Sequence, residues 1–218
     1  MLDELLATDG VEEICELRSP IGLMAFHGGS LEVVTDIVAS EAAERAGASI
    51  YAIRQPWGFR WHIPSNAIDP AHSPTLQAFL DHVDCAIAVH GWGTDGWTQD
   101  PRPSSAYEAS AFRFGSDGGD RPLLVGGRNR ALAAHIAASL RAALPSYEVV
   151  DDLEQIPPSV RGLDRRNLVN RVRDGGVQLE LTPRVRGLPP FWPKEQRGRA
   201  CPDTQALIDG LTAAVASV

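Results

Sequence analysis

Lysine is almost missing from this 218-residue chain, in which Lys194 is the only one. That scarcity excludes a lysine-bearing P-loop, a Schiff-base lysine early in the fold and a Ser-x-x-Lys nucleophile. Cysteine is also sparse: Cys15, Cys85 and Cys201 lie far apart, and no Cys-x-x-Cys pair occurs. An odd, scattered set fits reduced thiols in a cytoplasmic protein better than a disulfide framework. Long apolar runs are missing as well, since no segment approaches the roughly 20 apolar residues that span a bilayer. The start, Met1-Leu2-Asp3-Glu4-Leu5-Leu6, is acidic and carries no apolar stretch of signal-peptide length. A soluble cytoplasmic protein without a membrane partner is expected.

What is present suffices for a core, because 44% of the residues are hydrophobic. One compact domain spanning residues 1–218 is the expectation. The formal charge of −8 argues against nucleic acid, which needs a surplus of Lys and Arg to neutralise phosphates. The charge is uneven, however. Between Arg161 and Arg199 nine arginines and Lys194 face only Asp164, Asp174, Glu180 and Glu195. Such a segment is either an anion-binding face or an ordinary set of solvated charges.

Apolar runs ending in glycine organise the chain. Ile21 to Phe26 reads as a buried strand running into the turn signal His27-Gly28-Gly29. From Ser30 to about Ala46, Leu31, Val34, Ile37, Val38 and Ala42 recur at helical spacing, and Gly47 closes the pattern. Ser49 to Arg54 is a second strand and Trp61 to Pro64 a third. Ser73-Pro74 starts a helix through His82, since Ser caps and Pro suits the first turn. Cys85 to Val89 is apolar enough for a strand buried on both faces, and it ends at His90-Gly91. Pro122 to Val125, Tyr147 to Val150 and Val177 to Leu181 are further strands. An Ala-rich helix ends near Ala143, and Asp203 to Ala216 forms a closing helix. The alternation predicts an α/β fold, a three-layer sandwich around a mixed, largely parallel sheet. An irregular insertion at about 91–121, rich in Gly, Asp, Ser and Trp, is long enough for a functional cover.

Ligands of open α/β sheets bind beyond the carboxyl ends of the strands, where His27 and His90 both stand before a glycine. Glu32 follows across the Gly28-Gly29 turn, in what reads as the first helical turn, where the helix N-terminus favours a carboxylate. Two imidazoles and a carboxylate are the donor set of an open catalytic Zn²⁺ site. A general base is available in Val177-Gln178-Leu179-Glu180-Leu181, where alternation puts Gln178 and Glu180 on one face. Each piece also has a plainer reading. A strand-end His is often a hydrogen-bonded structural residue, Glu32 an ordinary first-turn acid, and Glu180 a partner for a nearby arginine.

Rival motifs are weaker. His27-Gly28-Gly29-Ser30 has the look of an esterase oxyanion loop, but no Gly-x-Ser-x-Gly elbow supplies a nucleophile. Cys85 reads as a small core residue. His62, beside Trp61, lines the crevice at most, and His72, His82 and His135 have no partner pattern.

Taken in order, several motifs resemble the poly-γ-glutamate hydrolase family of phage and bacteria. They are His27-Gly28-Gly29-Ser30-Leu31-Glu32 with Thr35, His62-Ile63-Pro64-Ser65, Ala88-Val89-His90-Gly91, Val125-Gly126-Gly127-Arg128-Asn129, Asn167-Leu168-Val169-Asn170-Arg171, and Gly176 to Leu181. The likeness runs roughly from Ile21 to Arg186. It implies a zinc carboxypeptidase-like fold in which His27, Glu32 and His90 bind the metal and Glu180 activates water. It further implies that Arg128, Asn129, Asn167, Arg171, Arg184 and Arg186 grip substrate carboxylates. The substrate class so implied is polyglutamate joined by γ-glutamyl amide bonds. Two features depart from the family pattern, the segment after His90 and the Pro-Pro-Phe-Trp-Pro stretch at 189–193. With a net charge of −8, a shorter glutamyl or acyl-amino-acid amide is an alternative substrate, and a non-catalytic carboxylate-binding module the non-enzymatic one.

Overall fold

A computed structural model describes residues 1–92, 122–188 and 201–218. The insertion expected at about 91–121 falls almost wholly outside the described residues, as do the stretch 189–193 and Lys194. Seven strands, β1 (Glu12–Glu16), β2 (Ile21–Gly29), β3 (Ser49–Gln55), β4 (Cys85–Gly91), β5 (Leu123–Val125), β6 (Val149–Val150) and β7 (Gly176–Leu181), form one sheet in the order β1-β3-β2-β4-β7-β5-β6. The four central strands, β3, β2, β4 and β7, are parallel. At the edges β1 runs antiparallel to β3, and β5, with β6 parallel to it, runs antiparallel to β7. The sheet is therefore mixed, with the expected parallel centre.

Alternation along the strands sets the layers. In β2, Leu23 and Ala25 face one side and Met24 and Phe26 the other, all buried, so the strand needs cover on both faces. The first face, with Ile50, Ile87, Val89, Val177 and Leu179, packs against apolar residues of α2 (Thr35–Ala46), α4 (Arg130–Ala143) and α5 (Pro202–Ala216). The second face, with Tyr51, Ile53, Ala86 and Ala88, packs against α1 (Leu2–Leu6), α3 (Pro74–His82) and the 3₁₀ turn Leu168–Asn170. Each large aliphatic or aromatic side chain removed from water contributes about 1.5–3 kcal/mol. The central strand ends are thereby held at fixed height. Among the described residues no helix is long and apolar enough to cross a membrane.

Three expectations need correction. Strand β2 continues through His27 to Gly29, and its register against β3 shifts between Ala25 and Gly28. Such an irregularity re-aims the side chain at the bulge, here His27. Helix α2 begins at Thr35 rather than Ser30, because Val34 is left-handed with φ 80° and cannot continue a helix. Glu32 therefore sits in a turn before the helix. Trp61 to Pro64 is not a strand but an irregular segment, tied down by the Gln55 amide, which accepts from Trp61 N at 2.8 Å and donates to Trp61 O at 2.9 Å. By contrast the Ser73 cap is as expected, its hydroxyl accepting from Leu76 N at 2.9 Å.

Gly29 is the residue on which the end of β2 depends. Its φ is +72°, and a Cβ there would lie 2.1 Å from the carbonyl oxygen of Gln55 on the paired strand. Gly29→Ala should thus destabilise the protein by about 2–4 kcal/mol, through overpacking and backbone strain. Urea denaturation followed by circular dichroism measures this, and a loss below about 0.5 kcal/mol would show that the strand end yields.

Candidate metal centre

The turn after β2 brings Glu32 back onto the strand that precedes it. Glu32 N donates to His27 O at 2.7 Å, and Thr35 Oγ1 donates to Glu32 O at 2.7 Å, which closes the turn. The Glu32 carboxylate then accepts from His27 Nδ1 at 2.9 Å through Oε1 and from Gly91 N at 2.9 Å through Oε2. His90 Nδ1 lies 3.4 Å from Oε2. Burial alone would raise the Glu32 carboxyl, but the charges and hydrogen bonds of His27 and His90 hold it well below the usual carboxylate range. The two imidazoles, rather than the helix N-terminus expected from the sequence, account for this, since the helix starts only at Thr35.

His90, next to last in β4, is in register with Glu180 of β7, so parallel pairing sets the two side by side. Both are nearly inaccessible, at 5% exposure each. Burial would lower the His90 imidazole, yet Glu32, with Glu180 adding to it, pushes it up to about 9. Burial pushes the Glu180 carboxyl up to about 7 against the pull of His90, and the charge of Glu32 adds to the rise. Glu180 is also oriented from below: Gln178 Nε2 donates to Glu180 Oε1 at 2.6 Å, and Asn167 Nδ2 donates to Gln178 Oε1 at 2.7 Å. Strand alternation makes the Gln178–Glu180 pairing visible in sequence. The third member, Asn167, comes from a separate turn and is not.

His62 is the residue that sequence reasoning undervalued. The irregular segment before Pro64 is pinned over the end of β2, where Ser30 Oγ donates to Phe59 O and His27 Nε2 meets Ile63 O at 2.9 Å. This brings the His62 ring centroid to 4.6 Å from that of His27, while His90 lies at 5.2 Å. One donor atom from each of His27, Glu32 and His62 lies within 4.8 Å of the others. The expected trio with His90 and this one with His62 thus share two members. Both ring nitrogens of His27 face oxygens, Nδ1 that of Glu32 and Nε2 that of Ile63. Nitrogen and carboxylate donors converging in this way fit Zn²⁺ chemically.

The residues expected to hold substrate scatter. Because β5 is antiparallel to β7, Arg128 and Asn129 follow it at the opposite end of the sheet from His90 and Glu180. Asn129 N donates to Gly176 O at 3.1 Å, roughly 13 Å down β7 from Glu180. Its side chain caps α4, accepting from Leu132 N at 3.0 Å, while Arg128 Nη1 donates to Leu163 O at 3.4 Å. Asn167 is 6% exposed and committed to Gln178, and Arg186 is 1% exposed with its donors on backbone carbonyls. None of these four is disposed to grip a carboxylate at the histidine cluster. Arg171 is exposed beyond the turn Leu168–Asn170, and Arg184 is half-buried beside Tyr147.

The sequence profile described as poly-gamma-glutamate hydrolase matches residues 7–99 and 108–199. The chain belongs to the poly-gamma-glutamate hydrolase family. No curated protein matches it at the level of sequence. Its fold is similar to that of a bacteriophage poly-gamma-glutamate hydrolase, with a TM-score of 0.73 and 22% identity over 98% of this chain and 93% of that one. It is also similar to YNDL in a zinc-free apo form, with a TM-score of 0.61 and 20% identity over 94% and 86% of the two chains. A hydrolase is what membership of the family supports.

These couplings set a pH dependence. His90 and Glu180 both hold their protons more tightly in the folded protein than their ordinary values of 6.5 and 4.5 allow, so stability without metal falls as pH rises from about 4.5 through 9. Glu32 acts oppositely, and its contribution is lost as pH drops below about 4.5. In chelator, the Tm should therefore decline between pH 6 and 9, and His90→Gln should flatten the part above pH 7. Added Zn²⁺ should raise Tm more at pH 8 than at pH 6, because the ligands must shed protons to bind it. A Tm that rises with pH in chelator would contradict this coupling.

Proposed function

We propose that this family member is a zinc-dependent hydrolase of γ-glutamyl amide bonds. The observation that carries the reading is the pairing of Glu180 with His90 across β4 and β7, next to the His27–Glu32 turn. One buried carboxylate is held ionised among imidazoles, while the other is pushed towards neutral pH. Environments that separate two carboxylates in this way divide their roles.

His27 and Glu32, with His90 or His62, would hold the metal. When bound, Zn²⁺ would supply Lewis acidity to the scissile carbonyl and a lowered pKa to water. Glu180 takes the proton of the attacking water and returns it to the leaving amine, a task suited to a group whose pKa lies near 7. Gln178 and Asn167 keep its carboxylate turned to that work. Arg184, which follows the end of β7, is the proposed contact for a carboxylate of the substrate, whereas Arg171 lies with Arg128 and Asn129 at the far end of the sheet.

The net charge of −8 favours a second reading in which the substrate is short, an N-acyl amino acid or small glutamyl peptide, since a long polyanion would be repelled at a distance. A module that only binds carboxylates would retain its ligand after the metal is stripped.

Protein purified without chelator should carry near-stoichiometric zinc, and chelation should abolish hydrolysis of poly-γ-glutamate. Glu180→Gln should lower kcat by about 100- to 10,000-fold while the metal content stays unchanged. An undiminished rate would remove Glu180 from the role of base. Turnover of acylated glutamate but not of the polymer would select the shorter substrate.

A further inference from the structure

Arg186 is among the most buried large side chains of the protein, at 1% exposure. Its guanidinium donates through Nη1 to Val33 O at 3.0 Å, through Nη2 to Trp92 O at 3.4 Å and through Nε to Thr182 O at 3.4 Å. Those carbonyls come from three distant parts of the chain. Each lies one or two residues beyond a residue of the centre: Val33 follows Glu32, Trp92 follows His90 and Gly91, and Thr182 follows Glu180 and Leu181.

Two further observations make this meeting point more than ordinary packing. Val34 is the only non-glycine residue with a positive φ among the described residues, and a β-branched side chain at φ 80° is strained. The bond from Arg186 grips the carbonyl immediately before it. Gly91, between His90 and Trp92, leaves room for the guanidinium, since a Cβ there would stand 2.4 Å from Nη1 and 2.6 Å from Cζ. The close approach is built into the strand end.

Building on the hydrolase reading above, we propose that Arg186 is a positioning residue, a guanidinium staple that fixes the Glu32 turn and the ends of β4 and β7 relative to one another. It touches no substrate. Its planar fork of donors is what the task requires, and a lysine ammonium, with one nitrogen, cannot span the same three carbonyls. Burial lowers the guanidinium to about 10, with Glu32 and Glu180 opposing that fall, so it remains a cation at neutral pH. A pure charge role and a staple role thus predict opposite effects on metal binding. A buried cation acting by charge alone repels a second cation, and its removal would tighten binding. A staple assembles the ligands, and its removal weakens binding.

The test uses the full chain in three variants, Arg186→Lys, Arg186→Met and Gly91→Ala. Zinc affinity is measured by competition with a chromophoric chelator, and kcat and KM are measured on poly-γ-glutamate. All three should bind zinc about 10- to 100-fold more weakly, as expected when support around ligands is removed. kcat should fall by a similar factor, with KM within about twofold of wild type. Should the Arg186 variants fail to fold by circular dichroism, Gly91→Ala decides, because it keeps every donor of Arg186 and the backbone N–H that Glu32 accepts while its Cβ crowds the guanidinium. Rescue by Arg186→Lys, tighter zinc in Arg186→Met, a rise in KM with kcat intact, or a Gly91→Ala protein with wild-type affinity and rate would each overturn the staple. A wild-type protein that binds no zinc and hydrolyses no glutamyl amide would instead overturn the hydrolase reading on which it rests.

Discussion

A carboxylate enclosed by two imidazoles and a backbone amide is the constraint around which this centre is arranged. Taking Glu32 out of water is expensive unless every lone pair finds a donor or a cation. The chain meets that requirement with His27 from the strand before, Gly91 N from the neighbouring strand, and His90 beside it. Each partner then becomes a condition on the backbone. His27 needs the register shift in β2, the return to Glu32 passes through the left-handed Gly29, and Gly91 carries no side chain because a Cβ there would meet the Arg186 guanidinium.

The topology supplies the rest. The parallel register, Met24 beside Ala88 and His90 beside Glu180, brings His27, His90 and Glu180 of β2, β4 and β7 to the same rim of the sheet. Reversal of β5 has the opposite consequence. It carries the Gly126-Gly127 turn and the residues after it to the far rim, where Asn129 serves α4 as its cap. Residues that look equivalent as glycine-terminated strand ends therefore have different roles, and strand direction alone separates them.

Much of the centre was legible in sequence, for local reasons. An apolar run ending in His-Gly locates a strand end, and alternation in Val177 to Leu181 places Glu180 with Gln178 on one face. Glu32 is legible as a candidate ligand but not in its place before the helix, since helical spacing continues through residues whose backbone is not helical. One left-handed residue moves the helix start by a full turn. His62 and Arg186 were not legible in their actual places. The first depends on Gln55 holding Trp61, and the second on carbonyls contributed by three separate segments. Arg184 and Arg186 stand two residues apart in the sequence. Nothing in the local pattern says that one is half-buried and the other sealed.

The same contacts change what the basic segment means. Its surplus over residues 161–199 is open to two readings, an anion-binding face or an ordinary set of charges, and the described arginines there are largely spent within the protein. Arg161 donates to Ile156 O, Arg166 chelates Asp164, Arg173 bridges Asp84 and Asp174, and Arg186 lies beneath the centre. A cation already paired with a carboxylate or a carbonyl attracts a second anion weakly, because its field is largely cancelled at a distance. Recognition of a glutamyl carboxylate then falls to a few oriented groups near the rim rather than to the summed charge of a segment. That division is consistent with the net −8 of the chain: long-range attraction is small, and selectivity is exercised at contact distance.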